Sequence, residues 1–251
     1  MTRFNHTKIM TTLIVGASGA TGKLLVEQLL QSGQRVKVII RPTSKIPNSW
    51  NSDENVTIIE EEIIGMNVND MVSHLDDCHA AASCLGHNLT WKGIYGSKNL
   101  VTDAIRLVSE ASTISKPQKP IKFVLMNTAG NSNRDLEEPI SFGEKILVGL
   151  IRLLLPPHRD NEKAADYLRG YVGQKNPNIA WVAVRPDSLI NHEKVTRYSL
   201  HGSPMRSAIF NPGKTSRINV AHFMAKLITD ETTWNTWNGQ MPVIYDDVNE
   251  V

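Results

Sequence analysis

The stretch Gly16-Ala17-Ser18-Gly19-Ala20-Thr21-Gly22 decides how the whole chain is read. It follows a short apolar run, Thr12 to Val15, and precedes a segment in which Leu24, Leu25, Leu29 and Leu30 recur at helical spacing. A glycine triplet is weak alone, because glycine-rich turns are common. Between a buried strand and an amphipathic helix it reads as a phosphate cradle. Gly16 permits a tight exit from the strand. Gly19 lets the backbone approach a pyrophosphate, and Gly22 lets the helix pack against the sheet. Ser18, Ala20 and Thr21 complete the turn, whose N–H groups and helix dipole favour an anion.

Outward from the cradle, Gly33 ends the helix and Arg35 to Ile40 (RVKVII) forms a β-branched strand stopped at Arg41-Pro42. Polar Thr43 to Asn55 reads as a loop, Val56 to Ile59 as a strand and Val68 to Leu75 as a short helix. Ala80 to Leu85 is a fourth strand, of small residues suited to a sheet that passes close to a ligand. Ser97 to Ser109 reads as helix, and Lys122 to Met126 and Ile179 to Val184 as two more strands. Alternating strands and helices imply βαβ units, hence a Rossmann-type α/β fold with a doubly wound parallel sheet. We expect one domain over residues 1–251, with 1–10 as a short extension. Residues 187–251, where the alternation fades, are expected to supply a small C-terminal substrate-side region.

The end of the second strand selects among dinucleotides. An acidic residue there would accept a ribose 2′-hydroxyl, whereas an arginine accommodates a 2′-phosphate. Ile40-Arg41-Pro42-Thr43-Ser44-Lys45 holds no acid. Arg41, assisted by Ser44 or Lys45, favours NADP(H) over NAD(H). The competing reading leaves Arg41 as a solvated strand-end residue.

Composition narrows the function classes. Of 251 residues, 41% are hydrophobic and 21% charged, with net charge +2. That is ordinary globular composition, without the basic footprint of a nucleic-acid partner. The most apolar stretch, Ile146 to Leu155, is shorter than the ~20 residues of a membrane span. No secretory signal is visible, so a cytoplasmic location is expected. Cys78 and Cys84 are read as reduced core residues rather than a disulfide. No His/Cys/carboxylate spacing suggests a metal.

Taken in order, several motifs give the chain its family likeness: GASGATGK at Gly16 to Lys23, Arg41, the acidic run Glu60 to Glu62, and SCLGHN at Ser83 to Asn88. MNTAGN at Met126 to Asn131, AVRPDSLI at Ala183 to Ile190 and SRINVAHFMA at Ser216 to Ala225 complete the set. With these the sequence resembles the atypical short-chain dehydrogenase/reductase superfamily, in its NmrA-like, NAD(P)H-binding branch that includes flavin/biliverdin reductase-like proteins. The resemblance implies cofactor contacts from Cys84, Leu85 and Gly86, a nicotinamide-side hydroxyl at Thr128, and a carboxamide-side contact at Pro186, with Ser188 nearby. It also implies a Tyr-x-x-x-Lys helix, and here the chain departs from the pattern. The literal match Tyr171-Val-Gly-Gln-Lys175 contains Gly173 and reads as a helix end. Aligning back from Pro186 puts the motif's helix at Arg159 to Leu168, with His158 near the tyrosine position and Glu162 or Lys163 near the lysine.

The remaining polar residues suggest roles around that helix. His158 is the candidate proton donor, since imidazole titrates near neutral pH, with Lys163 holding the ribose and Thr128 donating to a substrate carbonyl. Pro156 to Lys163 is equally readable as helix-capping chemistry. His87, Asn88 and Trp91 follow the fourth strand, with His87 and Trp91 as substrate-side candidates; a packing role for Trp91 competes. The charged, proline-containing loop Ser132 to Phe142 suits a mobile segment. The leading expectation is an NADP(H)-dependent oxidoreductase acting on a small carbonyl, quinone-like or conjugated substrate. The alternatives are a non-catalytic NADP(H) sensor with a protein partner, and an interaction protein.

Overall fold

The computed structural model describes residues 10–86, 99–136, 138 and 156–247. Its elements run Thr11–Val15 (β1), Ala20–Gln31 (α1), Arg35–Ile40 (β2), Val56–Glu60 (β3), Val68–Leu75 (α2), Cys78–Ser83 (β4), Leu100–Ser115 (α3) and Ile121–Met126 (β5). They continue with Pro156–Asp166 (α4), Ile179–Pro186 (β6), Ser188–Ile190 (β7), Tyr198–His201 (β8), Lys214–Ser216 (β9), Arg217–Thr229 (α5), Glu231–Trp237 (α6) and Val243–Asp246 (β10).

Eight strands form the main sheet in the order β3-β2-β1-β4-β5-β6-β10-β8, and β7 pairs with β9 beside it. All neighbours in the main sheet are parallel except β10 and β8. The chain reverses its direction of growth between β1 and β4, so a crevice opens there at the carboxyl ends of the strands.

Near-continuous apolar strands follow from burial on both faces. Ile14, Ala82, Val124 and Val182 face α1 and α5, where Leu25, Leu29, Phe223 and Leu227 pack. Leu13, Ala81, Phe123 and Ala183 face the other layer, with Met71, Ile105, Ala164 and Leu168. Residues 187–251 do more than wall a site: α5 packs on α1 and β10 joins the sheet beside β6. Their periodicity is weak because α5 buries Ile218, Val220, Ala221, Phe223, Met224 and Leu227 on several sides, leaving no broad polar face.

Helix α3 continues through Ser115, past its expected end at Ser109. The Ser112 and Thr113 hydroxyls bond back to the carbonyls of Val108 and Ser109, at 2.8 and 2.9 Å, so residues that read as a break are absorbed. β4 ends at Ser83, earlier than expected, although the Cys84 amide still donates to the Val15 carbonyl at 2.9 Å.

Candidate active site

The cradle turns directly out of β1. Gly16 has φ +77°, and a Cβ there would lie 2.7 Å from the backbone of Cys84 and Leu85. The β1 exit therefore presses against the end of β4 so closely that only glycine fits. At Gly22 a Cβ would fall 2.2 Å from the Gly16 carbonyl oxygen, so this glycine admits the helix against the turn itself. Gly19 differs: among the described residues its Cβ would meet only the Gly16 oxygen, at 3.2 Å. No side chain caps α1, and its first turn holds no acid. An uncapped helix start at a glycine turn leaves amide groups that can receive an anion. Ser18 is half-buried, Gly19 and Ala20 are exposed, and Thr21 is buried.

Arg41 stands exposed just past β2. Its carbonyl accepts the Ser44 amide at 2.8 Å, closing a short turn. The Ser44 hydroxyl oxygen is enclosed and has no hydrogen-bond partner among the described residues. At the end of β4, Cys84 is buried, Leu85 half-buried and Gly86 exposed. Burial pushes the Cys84 thiol up to about 12, and Cys78 likewise. Both cysteines are free. Six positions along an extended strand separate them by roughly 20 Å, far beyond disulfide reach.

The loop after β5 supplies the other half of the site. The Asn127 and Ala129 amides continue the ladder to the Val184 and Pro186 carbonyls, at 2.7 and 2.8 Å. This holds Thr128 at the carboxyl edge. The Asn127 side chain donates to the Asn161 carbonyl at 3.1 Å, tying the loop to α4. Thr128 and His158 both border Gly130: a Cβ there would lie 3.7 Å from Thr128 Oγ1 and 3.6 Å from His158 Cε1.

The face His158 shares along α4 belongs to Glu162 rather than Lys163. Glu162 Oε1 is 3.7 Å from His158 Nε2, with side chains only 15% and 10% exposed. Lys163, one residue further round, is exposed and donates to Asn99 Oδ1 at 3.0 Å. Positions four apart are stacked on a helix, whereas positions five apart are not. Tyr171 is 74% exposed and stacks on Tyr167 in a π-helical turn, which Gly173 terminates at φ +70°.

Two features of the site left little trace in the sequence. The Asp160 carboxylate is buried and accepts the Val101 and Thr102 amides at 2.8 and 3.1 Å, capping α3 from another helix. The i, i+4 pairs of α4 were readable, but this cross-helix cap was not. Arg185 is fully buried and binds Glu138 through both terminal nitrogens, at 3.1 and 2.7 Å. It also donates to the Met241, Asn131 and Gly202 carbonyls. With its donors engaged the pair is sustainable, and removing one partner would cost about 3–5 kcal/mol. The described part of the loop after Asn131 is thereby tied to β6.

Pro186 is buried at the edge beside Thr128, while Ser188 is exposed on β7. Burial raises the Asp187 carboxyl above its usual range; its Oδ2 accepts the Gly213 amide at 2.8 Å. His87, Asn88 and Trp91, and the apolar run from Ile146 to Leu155, lie outside the described residues. Among the described residues, no helix is long and apolar enough to cross a membrane.

A parallel sheet with a glycine cradle at its crossover, an uncapped helix start and polar groups along the carboxyl edge defines a dinucleotide-binding Rossmann protein. The chain belongs to the NAD(P)H-binding family, whose profile matches residues 16–231. An uncharacterised chloroplastic protein of Arabidopsis thaliana is 36% identical over 59 residues, which is 24% of this chain and 21% of that protein's length. Among solved structures, a wide-type short-chain dehydrogenase/reductase from Veillonella parvula in complex with NADP is 16% identical, with TM-score 0.68 over 96% of this chain and 97% of that one. An anaerobilin reductase from Escherichia coli O157:H7 is 15% identical, with TM-score 0.66 over 96% and 100%. An oxidoreductase from Lactococcus lactis is 16% identical, with TM-score 0.66 over 95% and 91%. At these identities the structures share the fold.

Proposed function

We propose that the protein is an NADP(H)-dependent oxidoreductase acting on a small carbonyl, quinone-like or conjugated substrate. The observation that carries this reading is that Thr128 and His158 both border Gly130, in the loop at the carboxyl edge of β5. The cradle residues, with Cys84, Leu85, Gly86 and Pro186, would hold the dinucleotide, which supplies a hydride donor or acceptor when bound. Arg41 and the enclosed Ser44 hydroxyl, unpartnered among the described residues, support the 2′-phosphate form. Thr128 would donate to the substrate oxygen, and His158 would carry its proton. Unpaired Cys78 and Cys84 suit a reducing compartment, the cytoplasm being the one expected.

The test is NADPH consumption by purified protein across quinones, flavins, aldehydes and enones. Turnover of at least one class that falls in His158→Gln is the expected result; background rates with every class would overturn the reading. A second reading, a non-catalytic sensor passing NADP(H) redox state to a protein partner, draws on the departure from Tyr-x-x-x-Lys: Tyr171 is exposed and Lys163 is held by Asn99. A sensor must distinguish NADP+ from NADPH, so equal affinities without turnover would remove it.

A further inference from the structure

We infer that Glu162 is the positioning residue of His158, and that the two form a histidine–carboxylate acid unit matched to substrates whose oxygen gains negative charge as hydride arrives. This rests on the oxidoreductase reading of the site. The ring's Nε2 side is turned toward Glu162 Oε1 at 3.7 Å, while its Cε1 edge faces Gly130. Both side chains are largely buried, so a carboxylate there interacts with the ring more strongly than it would in water. On the same helix Arg159 is exposed, and the Asp160 carboxylate is committed to Val101 and Thr102. Glu162 is therefore the carboxylate of α4 that faces the ring.

The platform under the pair is fixed at three points. Asp160 caps α3, the Asn161 carbonyl receives Asn127, and Lys163 reaches Asn99. A carboxylate this close to an imidazole, without a hydrogen bond to it, stabilises the protonated ring through its charge. A base or acid oriented by a third group is the arrangement that nucleophilic and acid–base sites use in general. In the reduction direction the substrate carbon gains the hydride, and the C=O π pair moves onto oxygen. The His158 ring then places a proton on that oxygen, and water restores the ring's proton. A carbonyl leaves as the alcohol; a quinone leaves as the hydroquinone once its hydride-bearing carbon has lost a proton to water and the second oxygen has gained one, in either case two electrons and two protons richer.

A double-mutant cycle tests the pairing, with Glu162→Gln, His158→Gln and the double variant assayed with 1,4-naphthoquinone and NADPH. NADPH affinity should be unchanged in all three. Each single variant should lose about tenfold or more in kcat, and the double variant should lose no more than His158→Gln alone. Additive losses would overturn the pairing, because residues acting as a unit are not additive. The ring 15N shifts of His158 in the NADP+-bound protein give a readout independent of turnover. They should move in Glu162→Gln, and identical shifts would sink the proposal even in an active enzyme. Absence of turnover in the wild type with shifted 15N signals would instead sink the oxidoreductase reading alone.

Discussion

Asp160 Oδ2 accepts the backbone N–H of Val101 at 2.8 Å, across 59 residues of chain, and so bolts the helix carrying His158 to the start of α3. The same carboxylate takes the Thr102 amide at 3.1 Å and its hydroxyl at 2.6 Å. A buried carboxylate spent this way is structural, and its loss strands two amides. Asp160→Ala should cost about 2–4 kcal/mol, seen as a lower urea midpoint with an unchanged slope. A loss below ~0.5 kcal/mol, the scale of an ordinary surface change, would mean the helices dock without it.

The three cradle glycines should separate by role. Gly22→Ala drives a Cβ to 2.2 Å from a carbonyl oxygen and should destabilise the fold with or without ligand. Gly19→Ala meets the protein only at 3.2 Å. It should fold with a nearly unchanged Tm yet bind NADPH roughly tenfold or more weakly, since the added methyl faces the pyrophosphate. Equal NADPH affinity in Gly19→Ala would move the phosphates away from this turn.

Arg41→Ala, titrated with NADPH and NADH by tryptophan fluorescence, tests the cofactor preference. Removing a charge-assisted phosphate contact should cost about 1.5–3 kcal/mol, roughly tenfold or more, and for NADPH alone. Equal losses for both nucleotides would make Arg41 a general contact.

Cys78 and Cys84 should resist thiol reagents in the folded state. Burial pushes both thiols up to about 12, so at pH 8 on the order of one in ten thousand is thiolate. Both should label fully in denaturant. Labelling of Cys78 without unfolding would show that the amino end of β4 opens readily, and labelling of Cys84 that its carboxyl end does.

Asp187 gives a pH dependence of definite sign. Its folded pKa is raised, chiefly by burial, so the fold favours its neutral form. That contribution is present below the unfolded value and is lost as pH rises through the folded one. Tm followed upward from pH 4 should therefore fall less in Asp187→Asn than in the wild type. Parallel Tm profiles would mean that the Gly213 amide bond compensates for burial.

Sequence alone determined the elements whose residues interact with near neighbours. Gly16, Gly19 and Gly22 sit within one turn, and the β-branched run Arg35 to Ile40 is a strand by local preference. The apolar and small residues of β1, β4 and β5 announce a sheet buried on both faces. Arg41 is legible because a strand end is a local position. Tertiary structure decided what depends on distant partners. Asp160 reads as a helix-start acid until α3 is seen docked on it, and Arg185 as half of an Arg-Pro motif until Glu138 closes on it. Whether Glu162 or Lys163 stacks on His158 depends on a single residue of helical register, and a 100° rotation per residue puts Glu162 there. Local chemistry is written in neighbouring letters, while a buried charge finds its partner only when the chain has folded.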